Sequence, residues 1–196
     1  PLYSSAASDV YKRQVLARMA VPLLSAQSGA TDEHPEMIRD LRSILEDWDY
    51  EPGKISVRKI VGADGAEKIQ TRIDLGLLQI EPQGRPDGKT PHGAPSLLDH
   101  HEQRLIDHVR REGDDETFML SPDECRELRH EGYLYYQRYL SLFVLEEYGA
   151  VVRDTARNLR LMDFCSRYGE SERDRESLEP QRPYVLMMYT RALSLI

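Results

Sequence analysis

Ile55-Ser56-Val57-Arg58-Lys59-Ile60-Val61-Gly62-Ala63-Asp64-Gly65-Ala66-Glu67-Lys68-Ile69-Gln70-Thr71-Arg72-Ile73-Asp74-Leu75 holds two runs of period two around a turn signal. Ile55, Val57 and Val61 alternate with polar positions, and Ile69, Thr71, Ile73 and Leu75 do the same, the pattern of half-buried strands. Asp64-Gly65 between them predicts a hairpin turn of about three to five residues centred on Gly65. Pairing the apolar sets places Val61 opposite Ile69, Val57 opposite Ile73 and Ile55 opposite Leu75. A slip of one residue would mix the two faces, which disfavours it. The same register sets Arg58 against Arg72, with Lys54 and Lys68 near. Like charges directly across a strand pair are unfavourable. Either the arginines fan into solvent or pair with acids elsewhere, or the four residues form a basic patch for an anion, a nucleic acid or an acidic partner.

Working outward, Leu77, Leu78 and Ile80 suggest a third strand after a bend at Gly76. Gly84-Arg85-Pro86-Asp87-Gly88-Lys89-Thr90-Pro91-His92-Gly93 reads as a loop, because glycine and proline punctuate it. Before the strands, Met37, Ile38, Leu41, Ile44, Leu45 and Trp48 have helical spacing, and Pro52-Gly53 ends that helix. After the loop the pattern turns wholly helical. Ser96 is a cap, and Leu98, Leu105, Ile106 and Val109 share a face up to Gly113. Ser121-Pro122-Asp123-Glu124 is a stronger start, with serine as cap, proline at the first helical position and glutamate closing a capping box. Leu128, Tyr135, Tyr136, Tyr139, Leu142 and Phe143 make an aromatic stripe. Tyr148-Gly149 marks a turn into a helix with Val151, Val152, Thr155, Ala156, Leu159 and Met162. A charged loop follows, and Pro183 opens a last helix with Val185, Leu186, Met188, Tyr189, Ala192 and Leu193. The expected class is α+β: an N-terminal helix with a small antiparallel sheet, then an all-helical, repeat-like domain. The expected divisions are residues 1–36, 37–93 and 94–196.

The two ends read differently from the middle. Asp9-Val10-Tyr11-Lys12-Arg13-Gln14, with Pro1 to Ser8 before it, matches the in-frame translation of a sequencing-adapter end, so residues 1–36 are expected to be adapter scar and leader. The last helix stops at Ile196 without a glycine or basic cap, which suggests truncation and leaves an apolar face for self-association.

The 196 residues carry a net charge of −8, with 40% hydrophobic and 31% charged residues. An acidic chain is a poor non-specific nucleic-acid binder. No run reaches the ~20 apolar residues of a membrane helix. Cys125 and Cys165 lack metal or redox spacing, and reduced, buried cysteines in a cytoplasmic protein are the expectation.

Few residues suggest chemistry. His92, His100, His101 and His108 lie among acids, but His101 and His108 are two helical turns apart, about 10 Å. One metal cannot bridge that span with ~2 Å bonds, so a site would need His92 from the loop. Gly84-Arg85-Pro86-Asp87-Gly88 lacks the lysine-serine ending of a phosphate loop. Arg85 and Asp87 are spaced to pair and stiffen the loop; alternatively the loop presents Arg85, Asp87 and His92 to a partner. No cofactor, metal or catalytic residue is expected.

Two resemblances add to this. Glu147-Tyr148-Gly149-Ala150-Val151-Val152-Arg153, with Ala156 and Leu159, resembles the second half of a tetratricopeptide repeat. Lys68 to Ile80, then Gly84-Arg85-Pro86-Asp87-Gly88 and Pro91-His92-Gly93, resembles a family of bacterial UVR-motif proteins. That resemblance implies a strand-rich head, a helical middle, a C-terminal hairpin and a non-enzymatic adaptor role. The expected function is contact with another protein through a helical face displaying Tyr135, Tyr136 and Tyr139. The alternatives are a repair-linked accessory protein using the basic strand face, and an enzyme with a site where sheet meets helices.

Overall fold

The turn between the first two strands is built locally. In the computed structural model, which describes residues 41–196, Asp64 Oδ1 accepts the Ala66 N–H at 3.0 Å, Gly65 N donates to Gly62 O at 3.0 Å, and Gly62 N donates to Ala66 O at 2.8 Å. Gly65 sits at φ +76°, where a side chain would be strained. This closure fixes β1 (Val57–Val61) against β2 (Glu67–Ile73), with Val57 opposite Thr71, Lys59 opposite Ile69 and Val61 opposite Glu67. The register is two residues away from the one that pairs the most apolar side chains. A shift of two keeps every residue on its expected face, so burial cannot tell the two registers apart and the turn decides. Val61 pays for it by reaching 75% exposure. β3 (Gly76–Ile80) completes an antiparallel sheet of order β1-β2-β3.

Of the predicted helix over Met37–Trp48, the described part holds only a four-residue helix, α1 (Arg42–Leu45), with no side-chain cap. Met37, Ile38 and the adapter-like residues lie outside the described residues. α2 (Leu97–Glu112) is capped by Ser96 Oγ, which accepts the Asp99 N–H at 3.1 Å, and closes on Gly113 at φ +95°. α3 (Pro122–Val144) has the full predicted capping box. Ser121 Oγ accepts the Glu124 N–H at 3.3 Å, and Glu124 Oε2 accepts the Ser121 N–H at 2.8 Å. α4 (Tyr148–Tyr168) begins at the tyrosine read as a turn; the reversal itself lies at Glu146, φ +61°. The charged loop after it contains a short helix, α5 (Glu172–Glu176), and α6 (Arg182–Leu193) follows. A bridge between Leu120 and Gly169 ties the entrance of α3 to the exit of α4. A β-carbon on Gly169 would lie 2.9 Å from Cys165 O and 3.2 Å from Arg175, so the chain passes there only as glycine.

The described chain divides into two compact units. One joins residues 41–55 with Arg72–Gly76; the other comprises Ser56–Thr71 and Leu77–Ile196. In the second, α4 packs against α3 and α6. One apolar cluster includes Leu98, Leu128, Leu161 and Cys165. The other joins Ile69 and Ile80 of the sheet to Tyr139, Leu142, Val151 and Met188 of the helices. Strands and helices therefore share a core, although residue 93 reads as a boundary. Buried polar positions interrupt both central helices: Glu131 and Arg138 in α3, and Asp154 and Asn158 in α4. Ala156, by contrast, faces solvent, as do Ile106 and Val109 of α2. No helix among the described residues is long and apolar enough to cross a membrane.

Candidate functional site

Glu131 is the centre of a buried charge network. It is 0% exposed, on the α3 stripe between Leu128 and Tyr135. Its carboxylate accepts the first two N–H groups of α2, from Leu97 at 2.7 Å and Leu98 at 3.2 Å. It also takes an ion pair from Arg157 of α4 and lies 2.9 Å from Arg85 Nε, whose N–H is not aimed for a hydrogen bond. Arg85 in turn pairs with Asp87 at 3.1 Å. The loop predicted to stiffen itself is thus also bolted to α3. Two turns further along, Arg138 grips Asp154 of α4 with two bonds of 2.6 and 2.8 Å and donates to the Glu81 and Gly84 carbonyls at 3.1 and 2.7 Å. Both guanidiniums lie over the Tyr135 ring, Arg157 at 4.0 Å and Arg138 at 4.8 Å from its centre.

This arrangement corrects the picture of an exposed tyrosine groove. Tyr135 is 7% exposed and Tyr139 1% exposed; only Tyr136 is half-buried, edge-on to Tyr139 and 6.2 Å from Tyr184. Burial holds the Tyr139 hydroxyl well above its ordinary pKa, so it stays neutral. The aromatic stripe packs the core because Tyr139 and Leu142 share an apolar cluster with Ile69 and Ile80 of the sheet, Val151 of α4 and Met188 of α6.

The four basic strand residues do not act together either. Arg58 stands opposite Gln70 and donates to its side-chain oxygen at 2.9 Å, which corrects the expected Arg58–Arg72 pair. Lys68 is held by Asp64 at 2.9 Å and Glu81 at 2.8 Å, and both acids keep its ammonium charged. In the other unit, Lys54 pairs with Glu51 at 3.1 Å, and Arg72 donates to the carbonyls of Trp48 and Gly76, each at 2.8 Å.

His92 is exposed and takes φ +53°; its ring stacks on His100 at 4.3 Å. His100 meets His101 edge-on at 5.2 Å. His101 is 3% exposed, and its Nδ1 lies 2.8 Å from the Arg104 guanidinium, which fits a neutral ring with Nδ1 accepting. Burial, opposed by Glu124 and assisted by Arg104, pushes its pKa down to about 4. Arg104 pairs with Glu124, which also closes the capping box. Among the described residues no three His, Cys, Asp or Glu side chains converge as metal ligands. Cys125 and Cys165 are free and buried in the helical core.

Two features escaped the sequence pattern. An open cleft of about 330 Å³ is lined by Pro122, Arg126, Arg129, Ser171, Arg173 and Asp174. The spacing of Arg126 and Arg129 was visible, but Arg173 arrives from a distant helix. The second is the outer face of α6. Val185, Met188 and Ala192 are buried, whereas Leu186, Met187 and Leu193 are 41–47% exposed, with Tyr189 half-buried among them. An apolar residue on the wrong side of a buried helix face was legible as such only once the neighbours of that helix were known. Comparison with protein-family models, with curated proteins and with solved structures finds no match to this chain.

Proposed function

We propose that this protein is a non-enzymatic docking scaffold that receives an amphipathic helix with acidic flanks, from another protein, on the outer face of α6. The observation that carries the reading is the row of exposed Leu186, half-buried Tyr189 and exposed Leu193, widened by exposed Met187. Spacings of three and four residues make a ridge along one side of a helix, the surface another helix packs against. Such patches on a folded surface mark contact sites more often than chance. Charge supports the choice of occupant. In a chain of net charge −8, α6 contains no acid; Arg182 is already paired with Asp163 and Glu179, and Arg191 is exposed. The resemblance of residues 68–93 to UVR-motif proteins, whose implied role is adaptor-like, points the same way, as does the likeness of the Glu147 to Leu159 segment to a helical repeat.

The test is chemical-shift mapping with two model peptides. Both carry leucines at helical spacing; one is flanked by glutamates, the other by lysines. The acidic peptide is expected to shift Leu186, Tyr189 and Leu193 saturably, and Leu186→Asp with Leu193→Asp is expected to abolish the effect without unfolding the protein. Equal binding of both peptides, or shifts away from α6, would overturn the reading. So would dimerisation through this face, detected by sedimentation as a loss of dimer in the same double variant.

A further inference from the structure

We infer that the cleft between the first turns of α3 and the short helix α5 is a binding site for a doubly charged oxyanion, the phosphate group of a monoester. Three guanidiniums line it: Arg126 and Arg129, one turn apart on α3, and Arg173 from across the gap. The only carboxylate in the lining, Asp174, is already committed. It is 7% exposed, accepts the Ser171 hydroxyl at 2.7 Å and pairs with Arg129 at 3.0 Å. Arg129 is thereby fixed, and also donates to Ser177 Oγ at 3.2 Å. The other two arginines are exposed. Arg126 pairs with Asp123 at 2.5 Å, but the partners are 63% and 75% exposed. An exposed pair of that kind contributes little, so a better anion displaces it readily. Among the described residues the Arg173 side chain is in no hydrogen bond or ion pair within 4 Å, although its charge also helps hold Asp174 ionised.

The cleft thus keeps an excess of positive charge in a chain of net charge −8. Folding has gathered three arginines there from two distant segments against one lining carboxylate, while Asp123, Glu172 and Glu176 of the same segments lie outside the lining. Guanidinium forks match the oxygens of a phosphate two at a time, and a dianion is favoured over a single carboxylate where several forks converge. The space, about 330 Å³, exceeds a bare phosphate and leaves room for the start of whatever carries it. Ser171 is already engaged as the cap of α5, so recognition rests on the arginines.

The experiment follows the arginine side-chain Nε–H signals of the whole chain at constant ionic strength. Inorganic phosphate, O-phosphoserine and AMP are added separately, with sodium chloride as the blank. Saturable shifts at Arg126, Arg129 and Arg173 are expected, with half-saturation at about 1 mM or below for at least one of the three. Arg126→Gln and Arg173→Gln, both at exposed positions, are each expected to weaken binding about tenfold. Arg110→Gln, remote on α2, is expected to leave it unchanged. If inorganic phosphate binds as well as the esters, the cleft reads the phosphate alone; if an ester binds tighter, the rest of the cleft reads its carrier. Either result supports the site. Shifts that never saturate, that spread equally to Arg110, or that survive Arg126→Gln and Arg173→Gln together overturn it.

Discussion

His101 shows how one buried side chain ties stability to pH. Its neutral ring is buried and accepts from Arg104, so the folded protein resists protonating it. Its pKa near 4 lies below the 6.5 of an exposed histidine. The unfolded chain therefore binds a proton that the folded chain refuses between those values. The stabilisation is complete above pH 6.5, falls as pH drops, and is lost by about pH 4. A shift of that size corresponds to roughly 3 kcal/mol, with burial as the main cause. Urea midpoints measured between pH 7.5 and 4 are expected to fall more steeply for the native chain than for His101→Phe. Parallel pH curves for the two would show that His101 does not carry this part of the dependence.

Among the elements, the helix starts were the most legible. Ser96 and Ser121 cap where their side chains predict, because capping needs only residues within one turn of each other. Ser121→Ala is expected to cost about 1 kcal/mol in urea unfolding, and Ser121→Asp to restore most of it. An equal loss with Asp would mean that the hydroxyl matters for something other than the cap. The strand pair was legible in kind but not in register. Val61 and Ile69 look like partners by hydrophobicity, yet the Asp64–Ala66 turn sets Val61 against Glu67. A local turn outweighed the three expected apolar pairs because a shift of two leaves the buried face intact. The helical faces were legible in part. Leu128, Tyr135, Tyr139 and Leu142 do form the inner face of α3, but Glu131 and Arg138 lie on that same face. Their charge at stripe positions was the available signal for a buried network.

For the whole molecule, Arg138 is the tie between layers. It binds Asp154 of α4 and the carbonyls of Glu81 and Gly84 where the sheet hands over to the loop. Arg138→Leu leaves Asp154 buried with only Arg153, itself 42% exposed, as partner. Breaking a buried pair from one side costs about 3–5 kcal/mol. The unfolding midpoint is expected to drop accordingly, and the β3 amides to exchange faster relative to those of α4. Equal acceleration in both would show a general loss of stability with no special hold on the sheet.

By itself the sequence determined the α+β order of elements, the turn at Asp64-Gly65, the caps at Ser96 and Ser121 and the inner position of most apolar residues. All of these rest on interactions within a few residues along the chain. Only the tertiary structure decided that Tyr135 and Tyr139 are core and not a groove, that Arg85 is locked to Glu131, and that the sheet shares its core with the helices. It alone placed Arg173 beside Arg126 and Arg129, and left Leu186 and Leu193 uncovered. Each of these depends on which distant segment arrives as neighbour, and periodicity says which side of a helix is apolar but not what will cover it.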